Sequence, residues 1–278
     1  MKRKLFCEIS PITYKISVIK NQFMRYIAWI FGNKKYAHTF SEEKLPVVAY
    51  KHKSLIRRTL GNVDVQLQEN KAINLKIAAP KINHILIRPK ETFSFWKLVG
   101  KTSKKRGYKE GLIIKGNKTD KGIGGGMCQF TNLIHWMILH SPLEIIEHHH
   151  HNSLDLFPDF NRQIPFGTGT SIMYNYLDYQ FTNNTDNTFQ IIVYTDDTHL
   201  CGELRCLKKL EHSYHIVEED QYYSLESDGY YRNNKIYREI YDKNSGILIS
   251  KKLIIANHSK VMYDETYIPL NCNLNFHT

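Results

Sequence analysis

Apolar side chains recur at helical spacing in two stretches of the chain. Phe23, Met24, Ile27, Ile30 and Phe31 predict an amphipathic helix over residues 15–31, ended by Gly32 and Asn33. Met127, Phe130, Leu133, Ile134, Met137 and Ile138 share one face of a second helix, which starts after three glycines and stops before Pro142. A further helix is expected near 50–60, with Leu55, Ile56 and Leu60 as its apolar side, and Asn74–Ala79 reads as the end of another. Shorter apolar runs predict strands: Ile82–Ile87 before a turn at Pro89, Thr92–Trp96 by alternation, Leu112–Ile114, and Leu143–Glu147. From Ser171 onward the pattern is β, first SIMYNYLDYQF, then FQIIVYT, then a Tyr-rich final third with turns at Asp228–Gly229 and Asn244–Gly246.

Together these elements predict an α+β protein. N-terminal helices precede a central cysteine-bearing helix packed on a mostly antiparallel sheet, and the C-terminal part is β-rich. Three parts are expected: a basic helical segment over 1–60, a core domain over 61–205 and a β-rich extension over 206–278.

Charge changes the picture at one end only. Residues 1–60 carry 13 Lys and Arg against 3 Asp and Glu, a net of +10, out of +11 for all 278 residues. That asymmetry fits contact with an anionic membrane surface or polymer. No nucleic-acid-binding motif accompanies it, so no nucleic acid is expected as a partner. Lys15 and Lys20 interrupt any secretory apolar run, and Tyr26–Phe31 is far shorter than a membrane span, so the expected location is cytoplasmic or peripheral at the inner membrane surface. The 5 cysteines are widely spaced and lack a CxxC pair, which argues against a disulfide framework and a cysteine zinc site; Cys201 and Cys206 read as buried small hydrophobes.

The chemistry concentrates around Gly124, Gly125, Gly126 and Cys128. A thiol in the first turn of a helix lies near unpaired N–H groups and the positive end of the helix dipole, both of which favour thiolate. Glycines before it allow close approach of a substrate and turn N–H groups toward an oxyanion, with Gln129 beside them. The alternatives are a buried cysteine in a tight turn, or a phosphate loop, which lacks the Lys of a GK[ST] pattern. His135, about 10.5 Å along the helix from Cys128, is too far to act as its base. The run His148–His151 is the better source. If its strand continues, alternation places His149 and His151 on one face, with His151 the first choice of base, His149 the second, and Asp155 or Asn152 orienting the ring. His149 and His151 sharing a zinc ion with Asp155, Asp159 or Cys128 ranks below acid–base work, so neither metal nor cofactor is expected. In the loop over 155–169, Arg162 is available for a substrate carboxylate.

Six segments in order carry a family resemblance: FSFWKLVG (93–100), GGGMCQ (124–129), LEIIEHHHHNSLDLFPDFNRQIPFGTGTSIMYNYLDY (143–179), HLCGELR (199–205), YYRNNKIYR (230–238) and NHSKVMYDE (257–265). With these the chain resembles the VanW family. The resemblance implies a link to cell-wall peptidoglycan and glycopeptide resistance. Some VanW-domain proteins are similar to L,D-transpeptidases and use the cysteine of this motif as nucleophile, a role that carries over to Cys128. A peptidoglycan precursor or stem peptide is then the expected partner. The alternative is a non-catalytic accessory or binding protein in wall-precursor modification.

Overall fold

The computed structural model describes residues 5–58, 64–115, 118–150, 154–158, 163–268 and 274–276. Helix α1 (Pro11–Phe31) comes first, followed by strands β1 (Lys35–Tyr36) and β2 (Val47–Leu55), helix α2 (Val65–Ala78), strands β3 (Ile85–Ile87) and β4 (Glu91–Ser94), and the short helix α3 (Phe95–Val99). A hairpin of β5 (Glu110–Lys115) and β6 (Lys118–Ile123) leads into helix α4 (Met127–Leu139). Strands β7 (Glu144–Glu147), β8 (Leu154–Asp155), β9 (Gln180–Thr182), β10 (Phe189–Thr195), β11 (His199–Cys206), β12 (His212–Glu226), β13 (Gly229–Asp242), β14 (Leu248–Val261) and β15 (Leu274–Phe276) follow.

The strands form three sheets besides the hairpin, ordered β1-β4-β9-β7, β2-β11-β10-β3 and β15-β12-β13-β14-β8. Every pairing is antiparallel except β1 with β4, β12 with β15 and β14 with β8. The fold is thus α+β with a β-rich C-terminal part. Helix α4 packs against β2 and β11. Its Phe130, Leu133, Ile134, Met137 and Ile138 are all at most 1% exposed and join Leu200 and Leu204 in the core. Burying each such side chain stabilises the fold by about 2 kcal/mol, so the helix that presents Cys128 is rigidly held.

Three local readings are corrected. The stretch 50–60 is not a helix: through Leu55 it belongs to β2, paired with β11 from Val47↔Cys206 to Leu55↔His199, while Leu60 lies outside the described residues. Leu55 and Ile56 are adjacent, so they fit either period, and the long-range ladder decides. Strand β4 stops at Ser94, because the Ser94 hydroxyl caps α3 by accepting from the Lys97 N–H at 3.3 Å. Within SIMYNYLDYQF, only Gln180 and Phe181 join a ladder, as the start of β9; Met173 and Leu177 bridge across a turn in which Asn175 takes φ 51°. Cys7, Cys128, Cys201 and Cys206 are free thiols; Cys206 is fully buried and Cys201 half-buried.

Candidate active site

The site begins with a polar residue on the inner face of α2. Asn74 is fully buried, and its amide donates to the carbonyls of Lys109 (3.0 Å) and Gly125 (2.9 Å) while its oxygen accepts from the Lys109 N–H at 2.7 Å. One side chain thereby fixes the start of the β5–β6 hairpin and the turn before α4. All three glycines in that turn are sterically required: at Gly124, φ +81°, a Cβ would lie 2.4 Å from Cβ of Thr102. A Cβ on Gly125 would lie 2.2 Å from the carbonyl carbon of Gly111, and one on Gly126, at φ +99°, would lie 2.2 Å from Cγ of Lys71. No other residue fits any of these positions without moving the backbone, the threonine or the lysine.

Cys128 is the second residue of α4. Its carbonyl accepts from the hydroxyls of Thr131 (3.2 Å) and Thr170 (3.5 Å), and Asn132 accepts from the Thr170 N–H at 2.7 Å, which ties the helix start to the segment before Ile172. Burial pushes the Cys128 thiol up, while backbone N–H groups of Ile172 and of Cys128 itself work the other way and lose. The expected depressed thiol is therefore corrected: helix-terminal N–H groups are present, but desolvation outweighs them. The thiolate is the reactive form, so alkylation of Cys128 by iodoacetamide should stay slow at pH 7 and accelerate only above the pH at which a free small thiol does so. Alkylation profiles of the protein and of free cysteamine side by side check this.

Cys128 opens on a cavity of about 500 Å³ that also includes His52, Gln68, Lys71, His150 and Asp155 in its lining. Apolar wall is supplied by residues such as Leu67, Ile113, Phe157 and Phe166. Two polar side chains face it from α2. Lys71 is 8% exposed and forms no hydrogen bond or ion pair with a described residue; burial, then the charges of Arg58 and Arg57, push its amine down to about 7. Gln68, one turn earlier and 6% exposed, has a buried carbonyl oxygen with no partner among the described residues. His52 is held below its ordinary value by burial and by Arg58.

The histidine run does not continue as a strand, since β7 stops at Glu147. Glu147 is gripped by Arg25 of α1 at 2.5 Å and accepts from the Asp178 N–H at 2.9 Å. Burial alone would raise this carboxyl, but the bonds to Arg25, Asp178 and His149 hold it below the usual range. His149 turns to Glu147, 3.0 Å from Nε2 to Oε1, and is not in the cavity lining, which corrects its candidacy as base. His148 stacks on His135 at 4.3 Å and donates from Nε2 to the Gly169 carbonyl at 3.0 Å; burial lowers both rings, and they serve packing. His150, which alternation put with His148, is the described member of the run that lines the cavity with Cys128.

Other expected site residues are placed as follows. Gln129 sends its amide away from Cys128, donating to the Ser54 hydroxyl (2.9 Å) and the Leu55 carbonyl (2.8 Å), so it clamps the end of β2. Asp155 is 2% exposed, with Oδ2 2.9 Å from the Tyr263 hydroxyl and 3.6 Å from Arg232, itself 2% exposed. His151, Asn152, Asp159 and Arg162 lie outside the described residues. Among the described residues no three His, Cys, Asp or Glu side chains gather as a metal-ligand set. Lys71, Gln68 and Asn74 were missed by sequence reasoning. Their signal is three polar residues at three-residue steps beside Leu67 and Leu75, a polar stripe on the buried face of a helix.

A protein of Enterococcus faecalis (strain ATCC 700802 / V583), "Vancomycin B-type resistance protein VanW", is 34% identical over 263 residues, 95% of each chain. The chain belongs to the VanW family. The family profile, described as "VanW like protein", matches residues 70–205, which include Lys71, Cys128, His150 and Asp155. "Uncharacterized protein YoaR" of Bacillus subtilis (strain 168) is 26% identical over 118 residues, 41% of this chain and 36% of that protein. No solved structure matches this VanW-family chain.

Proposed function

We propose that this VanW-family protein acts in glycopeptide resistance as a cysteine-dependent acyl transferase on peptidoglycan stem peptides, with Cys128 as nucleophile. The observation that carries the reading is Cys128 in the first turn of α4, opening on a cavity of about 500 Å³, with backbone N–H groups turned to its sulfur. The thiol is protonated at rest, so attack requires transfer of its proton to a base. His150 takes that role among the described cavity residues, and His151 is the adjacent candidate. The sulfur bonds to the peptide carbonyl carbon, the proton passes to the histidine and then to the departing amine, and the C–N bond breaks. An acceptor amine, or water, then attacks the thioester and restores the thiol. N–H groups of the first turn of α4 hold the oxyanion.

The test is exchange between a stem tetrapeptide and an amine acceptor, followed by mass spectrometry in wild type, His150→Ala and His151→Ala. Loss of about 10²–10⁴-fold in the first variant assigns the base to His150, and in the second to His151. No exchange by the wild type refutes the transferase reading. It would then favour a non-catalytic accessory role, which the burial that keeps Cys128 protonated also supports.

A second observation bears on where the protein works. Helix α1 has no buried residue, and Ile12, Ile19, Phe23 and Ile30 are 71%, 66%, 63% and 71% exposed along one ridge. Exposed Lys15 and Lys20 flank the ridge, while Gln22, Arg25 and Tyr26 hold the helix to the body through Tyr174 and Glu147. No helix among the described residues is long and apolar enough to cross a membrane. An apolar ridge between cations fits the interface of an anionic bilayer, here the inner membrane surface, where each Lys contributes about 1 kcal/mol. Co-sedimentation with vesicles of phosphatidylglycerol and phosphatidylcholine should exceed that with phosphatidylcholine alone, fall with salt, and be lost in Ile19→Glu/Phe23→Glu. Equal, charge-independent sedimentation of the variant and wild type contradicts this placement.

A further inference from the structure

Two polar groups in the cavity wall have their protein partners missing in a complementary way. Lys71 offers a cationic donor with no described acceptor, and Gln68, one turn away on the same helix, offers a carbonyl oxygen with no described donor. Both are more than nine-tenths buried, at 8% and 6% exposure. Leaving the buried Gln68 oxygen unmatched is costly, and the Lys71 amine beside it lacks a described acceptor, so the pair is suited to a ligand that matches both. The ligand must carry an anion for Lys71 and, a few ångströms from it, an N–H for Gln68. The last residue of a peptide has this pairing, with a terminal carboxylate next to its own amide N–H. The Lys71 stem is also packed on Gly126, two residues before Cys128, and Lys71 and Cys128 line the same cavity.

We propose that Lys71 and Gln68 form a subsite for the free carboxy-terminus of a peptide, Lys71 binding the carboxylate and Gln68 accepting the terminal amide N–H. The inference deepens the transferase reading by naming which end of the peptide enters. It rests on that reading only for the identity of the peptide. The low value of the Lys71 amine fits this arrangement: an arriving carboxylate offsets the repulsion from Arg58 and Arg57, so the lysine takes up a proton as the ligand binds.

The experiment is calorimetric titration of the Cys128→Ala protein, which binds without reacting, so that failure of catalysis leaves the result readable. The probes are a stem tetrapeptide with a free terminus, the same peptide as its carboxamide, and an analogue in which an ester replaces the last amide. The free acid should bind about tenfold or more tightly than the carboxamide and the ester, and should take up protons at pH 8, read from the dependence of heat on buffer ionisation. Adding Lys71→Met should abolish the acid-over-amide preference and the proton uptake. Adding Gln68→Leu should abolish the preference over the ester alone. Equal binding of acid and carboxamide, a preference that survives Lys71→Met, or no binding of the free acid at millimolar concentration overturns the proposal. Inorganic phosphate that competes as well as the peptide overturns it too, since it would mark a general anion site.

Discussion

Replacing Cys128 by alanine removes peptide exchange, by about 10³-fold or more, and leaves the melting temperature within a few degrees of wild type. Catalysis is lost because no other group in the cavity takes the place of the sulfur that must carry the acyl chain. Stability is kept because the structural bonds at Cys128, from Thr131 and Thr170, end on its backbone carbonyl, which alanine retains. The exchange assay and a thermal melt on the same preparation check both halves. A variant that is folded and fully active would mean that the nucleophile lies elsewhere.

Replacing Asp155 by asparagine acts through the opposite route. Asp155 and Arg232 are each 2% exposed, and removing one charge leaves the other buried. A loss of about 3–5 kcal/mol is expected, and a fall of about 10 °C in melting temperature. The pair, with the Tyr263 hydroxyl, fastens β8 to the C-terminal sheet, so Asp155 reaches the site through the position of the cavity wall. Differential scanning calorimetry tests this. A variant that melts with wild type yet has lost exchange would return Asp155 to the role read from the sequence, orienting a histidine.

The central helix was legible because its determinants are local. Three glycines break the preceding strand, six apolar residues fall on one face, and Pro142 ends the pattern. The β-rich C-terminal part was legible from alternation and from turn residues. What stayed hidden was set by long-range contacts. Strand β2 has a local pattern that also fits a helix, and only its pairing with β11 decides. The histidine run leaves the sheet because Glu147 is captured by Arg25, 122 residues away, and by the Asp178 N–H. That exchange of partners turns His149 outward to Glu147 and leaves His150 in the cavity wall. Helix α2 buries Gln68, Lys71 and Asn74 together with Leu67 and Leu75, so its inner face reads as polar and the two groups facing the cavity carry no motif.

Transfer through Cys128 requires that its sulfur become covalently acylated. The direct measurement is intact-protein mass spectrometry of wild type mixed with a stem tetrapeptide and quenched in acid, followed by peptide mapping. A mass increase equal to the peptide minus its released terminal amino acid (the tripeptide less one water) is expected, located on Cys128 and removed by an acceptor amine. Product formation with Cys128 unmodified at every time point, or acylation at a different residue, would contradict it.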